Sequence, residues 1–195
     1  AVGVVNDRYE IVARRSVPTG AERPAEEVIR DMGDEMRAIC RERDFPLPHV
    51  ILEPGRSLVA AAGITLYTVG SVKTIPGFRT YVSVDGGMPD NPRYALYQSQ
   101  YTALIANRPD AEQSWRVTLA GRCCESGDLI GENLPLQPTA RGDILAVLTT
   151  GAYNYSMASN YNRLPRPALV MIRDGKPFVA VRRETYEDVV RNDFF

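Results

Sequence analysis

HVILEPGRSLVAAAGITLYTVGSVK, His49 to Lys73, is where the chain changes character. His49–Glu53 is a short, almost wholly apolar run, the pattern of a strand buried on both faces of a parallel sheet. The polar turn Glu53-Pro54-Gly55-Arg56 follows, and the small residues Ser57–Gly63 could open a helix. Upstream, Pro24–Arg43 predicts a helix: Pro24 suits its first turn, Glu26 and Glu27 its positive end, and Arg37, Arg41 and Arg43 its negative end. Val28, Met32, Met36, Ile39 and Cys40 recur at the three- and four-residue steps of a core-facing stripe, and Pro46 and Pro48 stop it. Ala1–Val5 and Tyr9–Ala13 read as short strands about a turn at Asn6-Asp7. Helix, buried strand, polar turn and helix start together read as the last units of an α/β array, over residues 1–62.

From residue 63 the pattern is β. Ile64–Lys73, Phe78–Val84, Trp115–Gly121, Asp143–Thr149, Ala168–Arg173 and Lys176–Arg182 are short runs rich in Val, Thr, Tyr and Leu, bounded by turn residues. Asp174-Gly175 is a strong hairpin signal. An antiparallel β-barrel or sandwich over 63–195 is expected, with a helix inserted near 94–107 and a short terminal helix over Thr185–Arg191.

Composition narrows the function. The 195 residues are enough for one large or two small domains, and 44% are hydrophobic, which allows a core. Lys+Arg 23 against Asp+Glu 24 leaves a net charge of −1, so nucleic acid is not an expected partner. No apolar run reaches membrane-span length, so a membrane is not expected either. Cys40, Cys123 and Cys124 show no metal-ligand spacing and read as reduced thiols of a cytoplasmic protein. Lys73 and Lys176 are the only lysines and His49 the only histidine. Lys73 reads as a structural residue of an edge strand, and His49 as a scaffold residue. The chain opens on Ala1 within an apolar run, as a cut inside a larger protein or N-terminal processing would leave it.

Four polar, turn-prone clusters lie outside any core pattern. In Glu53–Arg56, Gly55 lets backbone N–H groups approach an anion and Arg56 can grip a carboxylate or phosphate at two points, or the segment is a tight turn with a surface arginine. In VDGGMPDNPRYALY, Val84–Tyr97, a helix would place Arg93 and Tyr97 on one face, for an anionic substrate or as an ordinary surface pair. In Cys124-Glu125-Ser126-Gly127-Asp128, a thiol beside a carboxylate can donate a proton or attack, or be a buried structural thiol, which is the expected state of Cys123. Gly151–Asn162 carries Tyr153, Tyr155 and Tyr161 among Asn and Ser, and suits a ligand-facing loop or an interface.

EPGRS, VDGGMPDNPR-x-ALY, CESGD and GAYNYSMASNYNRLPRPA, in this order from about His49 to the C-terminus, closely resemble the diaminopimelate decarboxylases. These are pyridoxal-phosphate enzymes of the alanine racemase-like fold type, in which a (β/α)8 barrel carries the cofactor and a β domain completes the site. The resemblance implies a head-to-tail homodimer with shared sites and conversion of meso-diaminopimelate to L-lysine and CO2. It implies that Glu53 bonds the pyridine nitrogen and that Gly55, with the backbone at Arg56, cradles the phosphate. Arg56, Arg93 and Tyr97 would hold the substrate's distal carboxylate, and Glu125 would read its distal amino group. Tyr153 would touch the cofactor, and Cys124 would return a proton after CO2 leaves, acting across the dimer interface. The chain departs from the family in lacking the Schiff-base lysine motif and the Gly-rich phosphate loop. It therefore resembles the C-terminal portion alone, and is expected to need an N-terminal barrel half carrying the lysine before it binds the cofactor covalently or decarboxylates. A related basic-amino-acid decarboxylase and a non-catalytic interaction module are the alternatives.

Overall fold

The computed structural model describes residues 1–20, 23–46 and 53–194. They form two compact units, Ala1–Glu53 and Pro54–Phe195. In the first, β1 (Val2–Val5) and β2 (Ile11–Arg15) pair antiparallel, and α1 (Ala25–Glu42) follows. Val4, Ala13, Ile39 and Cys40 make its small core. Only the C-terminal half of the predicted helical stripe is buried; Met32 is exposed. Arg15 on β2 donates to Glu35 on α1 at 2.7 Å and also pairs with Glu42. The strand expected over His49–Glu53 lies outside the described residues except for Glu53, which is exposed and in no strand.

The second unit is a six-stranded, nearly closed sheet. Its strands are β3 (Ile64–Ile75), β4 (Arg79–Val84), β5 (Ala103–Ile105), β6 (Trp115–Ala120), β7 (Leu129–Leu136) and β8 (Ile144–Leu148), in the order β5-β8-β3-β4-β6-β7. Val69, Val82, Leu119, Ile130, Leu136 and Leu145 are among the side chains that fill it. Each such side chain, fully buried, contributes about 1.5–3 kcal/mol. The segment Ser57–Gly63 forms two single 3₁₀ turns, Arg56–Leu58 and Ala60–Ala62. The compact units divide at Glu53/Pro54, and the 3₁₀ turns bond to the second: Gly151 N donates to Ala60 O at 3.0 Å and Thr150 N to Gly63 O at 2.9 Å.

Two expectations are corrected. The sheet is not wholly antiparallel, because β4 and β6 run parallel. A parallel pair needs a long connection, and residues 85–114 supply it. The helix expected near 94–107 is confined to α2 (Arg93–Tyr97): Gln98 turns left-handed at φ 53°, and Tyr101, Ala103 and Ile105 then alternate inward, with Ala103–Ile105 paired to β8. Period two displaced period 3.6 after a five-residue helix.

Strand direction explains where the loops go. β3 is antiparallel to β4 and to β8, while β4 and β6 are parallel, so β4, β6 and β8 all run the same way. Their C-terminal ends, and the start of β3, lie at one end of the sheet. Residues 54–63, 85–97, 121–128 and 149–162 all emerge there.

The open seam between the edges β5 and β7 is bridged by Gln137, which is fully buried. Its Oε1 accepts from Ile105 N at 3.0 Å and its Nε2 donates to Pro109 O at 3.1 Å. Beyond the sheet, β9 (Leu169–Arg173) and β10 (Lys176–Val181) form a hairpin in which Asp174 and Gly175 both have positive φ, 50° and 73°. No residue of the two strands is buried, and Val170, Met171, Ile172, Phe178 and Val179 are exposed. The terminal helix α3 (Tyr186–Val190) is capped reciprocally by Thr185 and Asp188.

Replacing Gln137 with Leu leaves Ile105 N without its acceptor at the seam. Urea unfolding should show a loss of about 1–3 kcal/mol. An unchanged midpoint would mean that the seam does not need the side chain.

Candidate functional site

The end of the sheet that gathers the loops brings the four sequence clusters into contact. Gly55 lies under Tyr153: a Cβ on Gly55 would come within 2.4 Å of the tyrosine hydroxyl. Arg56 donates to Thr149 O at 2.7 Å, Ala152 O at 3.1 Å and Tyr101 Oη at 3.1 Å, and its guanidinium lies 5.2 Å from the Tyr101 ring centroid. Tyr101, 5% exposed, in turn donates to Asn154 Oδ1 at 3.2 Å. This bracing holds a turn in which Tyr153 itself is left-handed, with φ 63°. A non-glycine residue persists there because surrounding contacts over-determine it. Tyr153 remains 44% exposed.

Arg93 stands between two rings, 5.1 Å from the centroid of Tyr97 and 5.7 Å from that of Tyr153. Its Nη1 faces the Met157 sulfur at 3.9 Å, and its buried Nε has no partner among the described residues. α2 is placed by Tyr94, which donates to Glu132 Oε2 on β7 at 2.7 Å, while Arg79 on β4 donates to Glu132 Oε1 at 2.5 Å. The Tyr94 and Arg79 donors hold the Glu132 carboxyl below its ordinary range.

The loop before α2 is held by two carboxylates. Asp90 accepts from Gly87 N at 3.0 Å and from the Tyr67 hydroxyl. Burial pushes the Asp90 carboxyl up to about 6, and burial with the Asp90 charge pushes Tyr67 well above its usual value. Asp128, 2% exposed, accepts from Met88 N at 2.6 Å and Cys123 N at 2.7 Å. It thereby joins the Gly86–Pro89 loop to the turn bearing Cys124. The turn Cys123–Asp128 exposes Cys124 and half-buries Cys123. Glu125 accepts from the Tyr161 hydroxyl at 2.7 Å, which raises the tyrosine's pKa, and Ser159 N donates to Pro89 O at 2.8 Å.

Of the predicted site residues, Gly55, Arg56, Arg93, Tyr97 and Tyr153 are thus gathered about one turn, and Cys124 and Glu125 lie on the neighbouring one. Glu53 belongs to the first compact unit. Tyr101, Asp128 and the Tyr67–Asp90 pair have no role in the sequence reading. Asp90 and Asp128 carried the available signal, an acid inside a Gly-rich turn. Chemically, the Arg93 guanidinium and the Tyr153 hydroxyl suit a phosphate or carboxylate. No lysine joins them: Lys73 lies on β3 opposite Tyr81 of β4, nine residues along its own strand from Ile64, about 30 Å from the start of β3 at ordinary strand rise. Lys176 is on the exposed hairpin. Among the described residues no group of acids, Cys and His could hold a metal ion, and no helix is long and apolar enough to cross a membrane.

The family described as pyridoxal-dependent decarboxylase, C-terminal sheet domain, matches residues 7–151, and the chain belongs to it. It is 50% identical over 169 residues to the diaminopimelate decarboxylase of Bacillus subtilis (strain 168), across 87% of this chain and 38% of that protein. A crystal structure of diaminopimelate decarboxylase from M. jannaschii aligns with TM-score 0.74 and 34% identity, over 92% of this chain and 41% of that one. Another from M. jannaschii, in co-complex with L-lysine, aligns with TM-score 0.71 and 35% identity, over 88% and 37%. The chain spans about two fifths of the length of the curated relatives it matches.

The buried Asp90 makes a pH prediction. Its folded pKa of about 6 lies above the ordinary 3.8, so the folded chain keeps a proton that the unfolded chain has lost. That contribution is fully present below the ordinary value and is lost as pH rises through about 6. The difference in unfolding free energy between parent and Asp90→Asn, read from urea titrations, should therefore shift against the parent across this window, by on the order of 1–3 kcal/mol. A flat difference curve would mean that Asp90 titrates normally.

Proposed function

We propose that this chain is the C-terminal portion of a pyridoxal-phosphate-dependent diaminopimelate decarboxylase, which takes meso-diaminopimelate to L-lysine and CO2. The observation that carries the reading is the convergence of the Gly55, Arg93 and Tyr153 contacts at one end of a sheet that matches such enzymes. The relative from M. jannaschii holding L-lysine supports the product. In this reading residues 1–62 belong to the end of the (β/α)8 barrel and 63–195 to the β domain. A separate or preceding polypeptide supplies the rest of the barrel and its lysine. The bare apolar faces of β9 and β10 are consistent with further polypeptide covering them.

The cofactor, when bound, supplies an electron sink for the carbon that loses CO2. This chain's residues would bind and orient the groups around it. Glu53 would hold the ring nitrogen protonated. The Gly55 backbone, the backbone at Arg56 and the Tyr153 hydroxyl would receive the cofactor's phosphate and edge. Arg93, stacked between Tyr97 and Tyr153, has its guanidinium oriented before any ligand arrives and would grip the distal carboxylate, with Tyr97 adding a neutral hydrogen bond. Arg56 would act in the same set while its guanidinium braces the 149–152 turn. Cys124 and Glu125, on an exposed turn, suit delivery into a second copy's pocket. There the Cys124 thiol would hold the proton to be returned and the Glu125 carboxylate would read the distal amine.

The test uses the chain assembled with its barrel half. Diaminopimelate should be turned over in preference to ornithine or arginine. Cys124→Ala should lower turnover by about a hundredfold or more with cofactor uptake intact. The 195-residue chain alone should gain no lysine-linked absorbance with pyridoxal phosphate. An active assembly indifferent to Cys124 would remove the thiol from the mechanism, and activity on ornithine alone would overturn the substrate.

A further inference from the structure

Two cysteines stand side by side at the loop end of the sheet, and one carboxylate separates their environments. Asp128 is buried beneath the turn, between Gly87 and Gly121, where a Cβ would come within 2.3 and 2.1 Å of its carboxylate. One oxygen accepts from Met88 N and the other from Cys123 N, so the carboxylate fixes the backbone on which Cys123 faces inward and Cys124 outward. We propose that Asp128 is a positioning residue that divides the pair, holding Cys123 as an inert thiol and presenting Cys124 as the reactive one. The inference rests on the proposed function only in giving Cys124 a chemical role.

The surroundings of Cys123 favour its neutral form. Burial raises its pKa, and the Asp128 charge raises it further; Asn162 and Arg122 oppose this. Tyr161 also faces this thiol, with its hydroxyl bonded to Glu125. A thiolate must form before a cysteine alkylates, so an acid at this position protects one sulfur and leaves its exposed neighbour available. Adjacent cysteines would otherwise compete for the same reagent or be oxidised together.

Alkylation of the 195-residue chain by iodoacetamide tests this without turnover, so its outcome is independent of whether the assembly decarboxylates. Cys123→Ser and Cys124→Ser isolate each thiol, and peptide mapping separates buried Cys40. Near about pH 7.5, Cys124 should react about tenfold faster than Cys123 or more. Adding Asp128→Asn to Cys124→Ser should speed Cys123 by about threefold or more and move its rate profile to lower pH, because a charge that disfavours the thiolate is gone. Equal parent rates, or an unmoved Cys123 profile in a folded Asp128→Asn chain, would overturn the proposal. Asp128→Ser, which removes the charge with a smaller side chain, serves if the asparagine variant does not fold. Failure of both to fold also overturns it, since Asp128 would then hold the domain and not the turn.

Discussion

A buried carboxylate with two backbone donors from different loops ties the turn after β4 to the turn after β6. Asp128 cannot be left unbonded where it sits, because a charge away from water is strongly unfavourable without partners. Its partners are the N–H groups of Met88 and Cys123, and hydrogen bonds to a charged group contribute about 1.5–3 kcal/mol each. The loops after β4 and β6 leave parallel, adjacent strands, and the carboxylate keeps them together beyond the last strand pair. Gly87 and Gly121 are small because the acid occupies the space their side chains would need. Gly87 also has φ +147°, which L side chains rarely adopt.

The same exchange of side chain for close approach recurs at the other seam. A Cβ on Gly63 would meet Gly151 Cα at 2.4 Å, and one on Gly151 would meet Val59 O at 2.0 Å. The 3₁₀ segment before β3 therefore lies directly on the turn after β8, and Arg56 clasps that turn through two carbonyls. Backbone-to-backbone contact places Tyr153 more firmly than side-chain packing alone could, since the peptide groups bond in only a few registers.

The sequence made the strands and the clusters legible for different reasons. β3, β4, β6, β8, β9 and β10 are runs of β-branched and aromatic residues between turn signals, and the structure keeps them within a few residues of the expected bounds. β7 was missed because Leu129–Leu136 includes Gly131, Asn133 and Pro135, and β5 because three residues inside an Ala- and Tyr-rich stretch look helical. The parallel pairing of β4 and β6 is a long-range choice that no local pattern encodes. The Gly-rich clusters stood out because they suit no core. Their mutual contacts did not, since Asp128 to Met88 and Arg56 to Thr149 span 40 and 93 residues.

The two arginines expected to grip an anion differ in how much of each remains uncommitted. Arg56 directs three hydrogen bonds into the protein and lies against Tyr101. Its removal would loosen the turn under Tyr153 whatever the ligand, so a lost activity at this position would not identify a ligand contact. Arg93 meets two aromatic faces and a sulfur, and its Nε is buried with no partner among the described residues. Aromatic stacking orients a guanidinium while leaving its in-plane N–H groups available. An anion arriving at Arg93 would find the charge already directed and little side-chain freedom left to lose, so recognition of a carboxylate or phosphate falls more heavily on Arg93 than on Arg56.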